Sequence, residues 1–242
     1  MNSYKDYIKT LEDNAYLISM VPIEELLRFG YEVGLNQNSK VLDLCCGYGT
    51  VLKVWSEAFG ISGVGVDREA DFISIGNERL EKSAVEKVRL VCEDVTTYQD
   101  AEKYDVVICS ETIGSICDTL SLGEKFLKKG GIIAFQKLYS KVANPPKELI
   151  EFDGEVLPLS QLNHIFNENG YCLISMASDN DSAWERYVIN WSGQNDINRL
   201  RENPSDTGLK EWIDTWYNMY FDYRRQYEGQ ALFGLQRICW NI

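Results

Sequence analysis

Three acids and a glycine turn mark where this chain could do chemistry. Asp43 closes an apolar run in "VLDLCCGYGT", residues 41–50, and is followed by Cys45, Cys46, Gly47 and Gly49. Gly47 and Gly49 permit backbone conformations and close approaches that a side chain would block, so a ligand is expected against that backbone. Asp67 ends "GVGVD" and lies about 18 positions past Gly49, near the spacing at which a carboxylate accepts hydrogen bonds from both ribose hydroxyls. Asp94 follows a third apolar run, in "VCEDV". The choice of ligand lies between a dinucleotide and S-adenosylmethionine. Counted from Gly47, the dinucleotide fingerprint G-x-G-x-x-G puts Leu52 where its third glycine belongs. A carboxylate at Asp43 would also repel a pyrophosphate, whereas a cationic ammonium would suit it.

These residues need a scaffold that brings the ends of several strands together. Short apolar runs predict strands at 40–44, 62–66, 88–92, 104–109 and 131–136. Val51, Leu52, Trp55 and Phe59 fall at helical spacing and Gly60 stops the pattern, so a helix begins just after Gly49. Further helices are expected at 70–83 and 116–128, the latter ending at Gly130-Gly131. Strand and helix thus alternate, the signature of βαβ units with a parallel sheet, in which ligands settle outside the carboxyl ends of the strands. Upstream, Tyr4, Tyr7, Ile8 and Leu11 share a helical face and Pro22 opens a second short helix, together a flap over the ligand edge of the sheet. Downstream, "SQLNHIFNENGY" reads as a helix closed by Gly170, with His164 at its surface or half-buried, and "YCLISMA" as a strand. Helical stretches at 182–200 and 207–228, broken at Asn203-Pro204, then precede the apolar strand "ALFGLQRICW". Nine Trp and Tyr residues lie in that insertion, more than packing on a sheet needs, so some are expected to face a cavity.

Composition excludes several partners. The 242 residues carry a net charge of −13 with 24 Lys and Arg, which argues against nucleic acid and against an anionic membrane surface. No signal-peptide pattern opens the chain and no apolar run approaches the roughly 20 residues that span a bilayer, so a soluble, cytoplasmic protein is expected. The seven cysteines form no C-x-x-C pair and sit mostly in apolar runs, which reads as buried thiols in a reducing compartment. With one histidine in the chain, no metal site is expected.

Taken in order, the motifs resemble those of class I S-adenosylmethionine-dependent methyltransferases. "VLDLCCGYG" is similar to that family's D-x-G-x-G-x-G loop, "GVGVD" to its ribose-binding acid and "CEDV" to its adenine-edge acid. "YDVVICSETI" resembles its fourth-strand motif and "FLKKGGIIAF" its turn into the fifth strand. One position departs from the pattern: Cys45 stands where the loop has its first glycine. The resemblance implies a single domain with a Rossmann-like, doubly wound, mostly parallel seven-stranded α/β sheet. Its parts would be an N-terminal helical flap over 1–35, a cofactor-binding core over 36–178, a helical insertion or lid over 179–230 and a final strand over 231–242. It assigns Asp43, Cys45, Gly47 and Gly49 to the methionine end of S-adenosyl-L-methionine, with Leu44 beside them. Asp67 and Arg68 go to the ribose, Asp94 and Val95 to the adenine, and Ser110 to the floor. The product would be S-adenosyl-L-homocysteine and the acceptor a small molecule. Trp184, Arg186, Tyr187 and Trp191 resemble a bacterial small-molecule branch with a helical insertion before the last strand. Catalytic candidates are Glu111 or Thr112 and Tyr139 as base, and Arg186 as an anchor for an anionic acceptor. Two alternatives stay open, a non-catalytic S-adenosylmethionine-binding protein and an NAD-dependent oxidoreductase; a homodimer is possible through the exposed aromatic stripes.

Overall fold

The computed structural model describes residues 17–238; the expected helical face at Tyr4, Tyr7, Ile8 and Leu11 lies outside them. The chain runs α1 (Ile23–Glu32), β1 (Lys40–Leu44), α2 (Thr50–Phe59), β2 (Ser62–Asp67), α3 (Ala70–Lys82), β3 (Val88–Cys92) and β4 (Tyr104–Cys109). It continues through α4 (Ile116–Glu124), β5 (Leu127–Ser140), α5 (Lys147–Asp153), α6 (Leu159–Glu168) and β6 (Tyr171–Ser178). The last part holds α7 (Asp181–Glu185), a π-helical turn (Arg186–Trp191), α8 (Ser192–Glu202), α9 (Thr207–Met219), a second π-helical turn (Tyr220–Arg224), α10 (Arg225–Tyr227) and β7 (Glu228–Arg237). The seven strands form one sheet in the order β3-β2-β1-β4-β5-β7-β6. The pairs β1–β2, β1–β4, β2–β3 and β4–β5 are parallel, and the sheet as a whole is mixed rather than purely parallel. Strand order reverses between β1 and β4, which makes the end of β1 the switch point where an open α/β sheet receives ligands.

By its internal contacts the chain divides into two compact units. The first comprises, of the described residues, 23–137, 163–177 and 231–238. Val41, Leu42, Leu44, Val106, Val107 and Ile108 are buried there, as expected of central strands covered on both faces. Trp55 of α2 stacks on Phe29 of α1 with centroids 6.0 Å apart, and its Nε1 donates to the Leu26 carbonyl at 2.9 Å. His164 is exposed on α6, as the helix pattern predicts. The second unit comprises, of the described residues, 17–22, 138–162 and 178–230. Its centre holds Met20, Trp184, Val188 and Tyr220, with Leu138, Tyr187, Trp216 and Tyr217 packed against them. Among the described residues no helix is long and apolar enough to cross a membrane.

Two expected elements take a different form. The helix read over 116–128 ends at Glu124, because Lys125 and Phe126 turn tightly back onto Leu122 and Gly123 and the Phe126 carbonyl accepts from the Tyr104 N–H at 2.9 Å. Strand β5 therefore starts at Leu127, not 131, and Gly130-Gly131 lies inside a bulge: Tyr104 pairs with Leu127 while Val106 pairs with Ile132. The stretches read as helices over 182–200 and 207–228 are each interrupted by a π-helical turn. Apolar spacing alone does not distinguish one extra residue in a turn from a continuous helix.

Candidate functional site

The β1–α2 loop is built from left-handed backbone. Gly47 has φ 53° and Gly49 φ 68°, and between them and the strand Cys45 has φ 62°. A non-glycine residue in that region is strained by about 1–3 kcal/mol, so Cys45 occupies a position whose backbone suits glycine. We expect Cys45→Gly to raise the melting temperature by about 2–4 °C, the shift for about 1 kcal/mol in a chain of this size. Scanning calorimetry measures it, and a lower melting temperature would contradict strain at this position. The loop is tied down by Cys46 N–H to the Val66 carbonyl at 3.1 Å and by Gly49 N–H to the Cys46 carbonyl at 2.9 Å. Gly49 then opens α2, and a Cβ there would stand 2.6 Å from Leu90 Cδ2.

Acids converge on this loop. Asp67 is 8% exposed; its Oδ2 accepts the Gly47 N–H at 2.8 Å and its Oδ1 the Glu69 N–H at 3.0 Å. Asp43 is 1% exposed and accepts the Ser110 hydroxyl at 3.0 Å. Burial pushes its carboxyl up to about 7; the Ser110 hydrogen bond opposes this and the Asp67 charge adds to it. Glu111 opens to solvent, yet crowding by protein atoms raises its carboxyl above the ordinary range, with Lys137 pulling it down and Asp67 pushing it up. The Cys45 thiol is carried up to about 12, by burial first and then by Asp67, Asp43 and Glu111, so it stays protonated at neutral pH. A cluster of this sign favours a cation and disfavours phosphate.

The other residues singled out by sequence fall in two places. Asp94 is exposed, and its Oδ1 accepts both the Thr96 N–H at 2.8 Å and the Thr96 hydroxyl at 2.6 Å, a side-chain turn that holds its carboxyl below the usual range. Val95 next to it is buried, and Arg68 is exposed with Glu69 3.3 Å from its Nε. All of these share one compact unit with Asp43, Leu44, Cys45, Gly47, Gly49, Asp67, Ser110 and Glu111. Tyr139 and Arg186 belong to the other unit. There Tyr139 is buried and packs on Gly229, and burial raises its phenol, as does Asp179. Arg186 Nη2 donates to the Ser19 carbonyl at 2.6 Å. Two contributors escaped the sequence reading. Lys137, the counter-charge to Glu111, sits in a plain strand run, and Gly76 of α3, which faces the Tyr48 carbonyl, carries no motif.

A family model described as a methyltransferase domain matches residues 35–203. The chain belongs to that methyltransferase family. This bears out the expected S-adenosylmethionine-dependent class and its α/β fold. The methyltransferase is 26% identical over 225 residues to YjhP, an uncharacterized protein of Escherichia coli K12, covering 88% of this chain and 90% of that one. The X-ray structure of YjhP shares the fold with a TM-score of 0.85 at 24% identity, over 95% of this chain and 98% of that one. A Geobacter sulfurreducens structure, described as a SAM-dependent methyltransferase in complex with S-adenosyl-L-homocysteine, matches with a TM-score of 0.83 at 26% identity. It covers 96% of this chain and 98% of that one.

Proposed function

We propose that this methyltransferase transfers a methyl group from S-adenosyl-L-methionine to a small-molecule acceptor, with the β1–α2 loop as the cofactor site. The observation that carries the reading is the left-handed loop lined by Asp43, Asp67 and Glu111, an anionic surface suited to an ammonium and a sulfonium. When bound, S-adenosyl-L-methionine supplies an electrophilic methyl group and leaves as S-adenosyl-L-homocysteine. Asp43, with Ser110 on one oxygen, would face the ammonium. Asp67 keeps lone pairs beyond the two it gives to Gly47 and Glu69, and these would accept the ribose hydroxyls. Arg68, Asp94 and Val95 would border the adenosine. Glu111, raised in pKa at the end of β4, suits a base for an acceptor that carries a proton. The net charge of −13 supports a small acceptor over a nucleic acid. Calorimetric titration is expected to show binding of S-adenosyl-L-methionine and S-adenosyl-L-homocysteine and none of NADH. Tight NADH binding without a response to either sulfur compound would overturn the assignment.

The same site makes a pH prediction. A cationic ligand prefers ionised Asp43, whose carboxyl sits at about 7. Affinity for S-adenosyl-L-methionine is therefore expected to fall about tenfold from pH 8 to pH 6, and Asp43→Asn is expected to bind more weakly with that dependence flattened. For folding the sign is opposite. A raised carboxyl stabilises the fold fully below its unfolded value, and that contribution is lost as pH rises through about 7. The free chain should thus lose stability across neutrality while its ligand affinity grows. Titrations at three pH values decide it; equal pH dependence in the wild-type chain and Asp43→Asn would remove Asp43 from the account.

A further inference from the structure

Within the unit that holds residues 138–162 and 178–230, the second π-helical turn ends in a guanidinium that solvent barely reaches. Arg224 is 3% exposed and Glu228 0%. Arg224 Cζ lies 4.9 Å from the Trp184 ring centroid, 5.0 Å from that of Trp216 and 6.0 Å from that of Phe152. Its Nε donates to Glu228 Oε2 at 2.6 Å and stands 3.3 Å from Asp153 Oδ2. Two acids share one guanidinium, and burying such a group stabilises a fold no better than apolar packing would.

Hydrogen bonding in this cluster is also incomplete. Arg224 Nη1, Trp216 Nε1, Glu228 Oε1 and Asp153 Oδ2 are buried atoms with no hydrogen-bond partner among the described residues. Native interiors rarely leave one such group unsatisfied, and here two donors and two acceptors stand around one guanidinium. The cluster also adjoins both π-helical turns: Trp184 lies just before the first and Arg224 closes the second. Such turns occur frequently at functional sites. Burial carries the Glu228 carboxyl up to about 7 against the pull of Arg224, so a further cation nearby would return it to the ionised form. Asp153 keeps 12% side-chain exposure and Phe152 beside it reaches the surface, so the cluster lies close to solvent on this side.

We propose that Arg224, Trp216, Glu228 and Asp153 form a binding site for a small amine that also carries a hydroxyl or carbonyl oxygen. Its ammonium donates to Glu228 Oε1 and Asp153 Oδ2, and its oxygen accepts from Arg224 Nη1 and Trp216 Nε1. Trp184 and Trp216 hold the Arg224 guanidinium in place, and the two acids disfavour an anion. The site uses none of the residues of the glycine loop and stands independently of the methyl-transfer reading.

Saturation-transfer NMR on the full chain, with ethanolamine as the probe and acetate as the anionic control, tests it. Ethanolamine is expected to give a signal and acetate none. Glu228→Gln and Trp216→Phe should each weaken ethanolamine binding about fivefold or more, the scale of one lost hydrogen bond. Melting curves establish that the variants fold; should Glu228→Gln fail to fold, Trp216→Phe, which keeps a ring in a half-buried position, still removes the indole N–H. No transfer to ethanolamine would mean that the cluster holds water only. That result, an equal signal from acetate, or an undiminished signal in Trp216→Phe would each overturn the proposal.

Discussion

Asp67→Ala is expected to lower affinity for S-adenosyl-L-methionine by more than about 100-fold and to lower the melting temperature as well. Read from sequence, Asp67 is an acid at a surface turn, where alanine should remove a ligand contact of about 1–3 kcal/mol and leave the fold intact. The structure adds a second role. Oδ2 holds the Gly47 N–H at 2.8 Å and Oδ1 the Glu69 N–H at 3.0 Å, in a residue that is almost fully buried. Alanine leaves both donors without their acceptor; the Gly47 N–H is buried and its loss costs about 1–3 kcal/mol, while the part-buried Glu69 N–H turns to solvent. The loop then loses one of its two ties to the end of β2, the Cys46–Val66 backbone bond remaining, and the geometry of Cys45, Gly47 and Gly49 loosens. Asp67→Asn keeps one carbonyl acceptor and should fall between the two. Calorimetric titration paired with thermal melting measures both effects; alanine binding within threefold of wild type at an unchanged melting temperature would remove Asp67 from both roles.

Gly76→Ala is expected to destabilise the protein by about 2–3 kcal/mol, a fall of about 5–10 °C. Alanine is the better helix former by about 1 kcal/mol, so propensity alone predicts the opposite. A Cβ on Gly76 would stand 2.7 Å from the Tyr48 carbonyl oxygen and 2.5 Å from Leu90 Cδ1. Leu90 can rotate, but the Tyr48 carbonyl belongs to the glycine loop and moves only with it. The substitution should therefore push α3 off the loop and weaken cofactor binding together with stability. Gly208→Ala is the control, because its Cβ would meet only Asp206 Oδ1 at 3.5 Å, an ordinary contact. If both alanines melt alike, the close approach of α3 to the loop does not limit stability.

The sequence by itself determined what depends on near neighbours along the chain. Apolar runs placed β1, β3 and β4 at their observed limits, and Gly49 and Gly60 bracket α2 in the left-handed conformations that glycine allows. The order of Asp43, Cys45, Gly47, Gly49, Asp67 and Asp94 was enough to read the family, because each motif follows a strand end and the strand ends are local features. Tertiary structure alone decided who meets whom. That Asp67 spends both oxygens on backbone donors, one of them 20 residues earlier, and that Gly76 faces the Tyr48 carbonyl, follow from folding β1, β2 and α3 together. The strained φ of Cys45 likewise follows from a loop whose path its neighbours impose. Periodicity marks which face of an element is apolar but not which residue lies opposite. So it read Trp184, Trp216 and Arg224 as positions on helices and could not show a guanidinium 4.9 and 5.0 Å from two indole ring centroids and paired with Glu228 and Asp153. Hydrogen bonds and charge pairs act over a few ångströms, and only the folded chain brings distant residues that close.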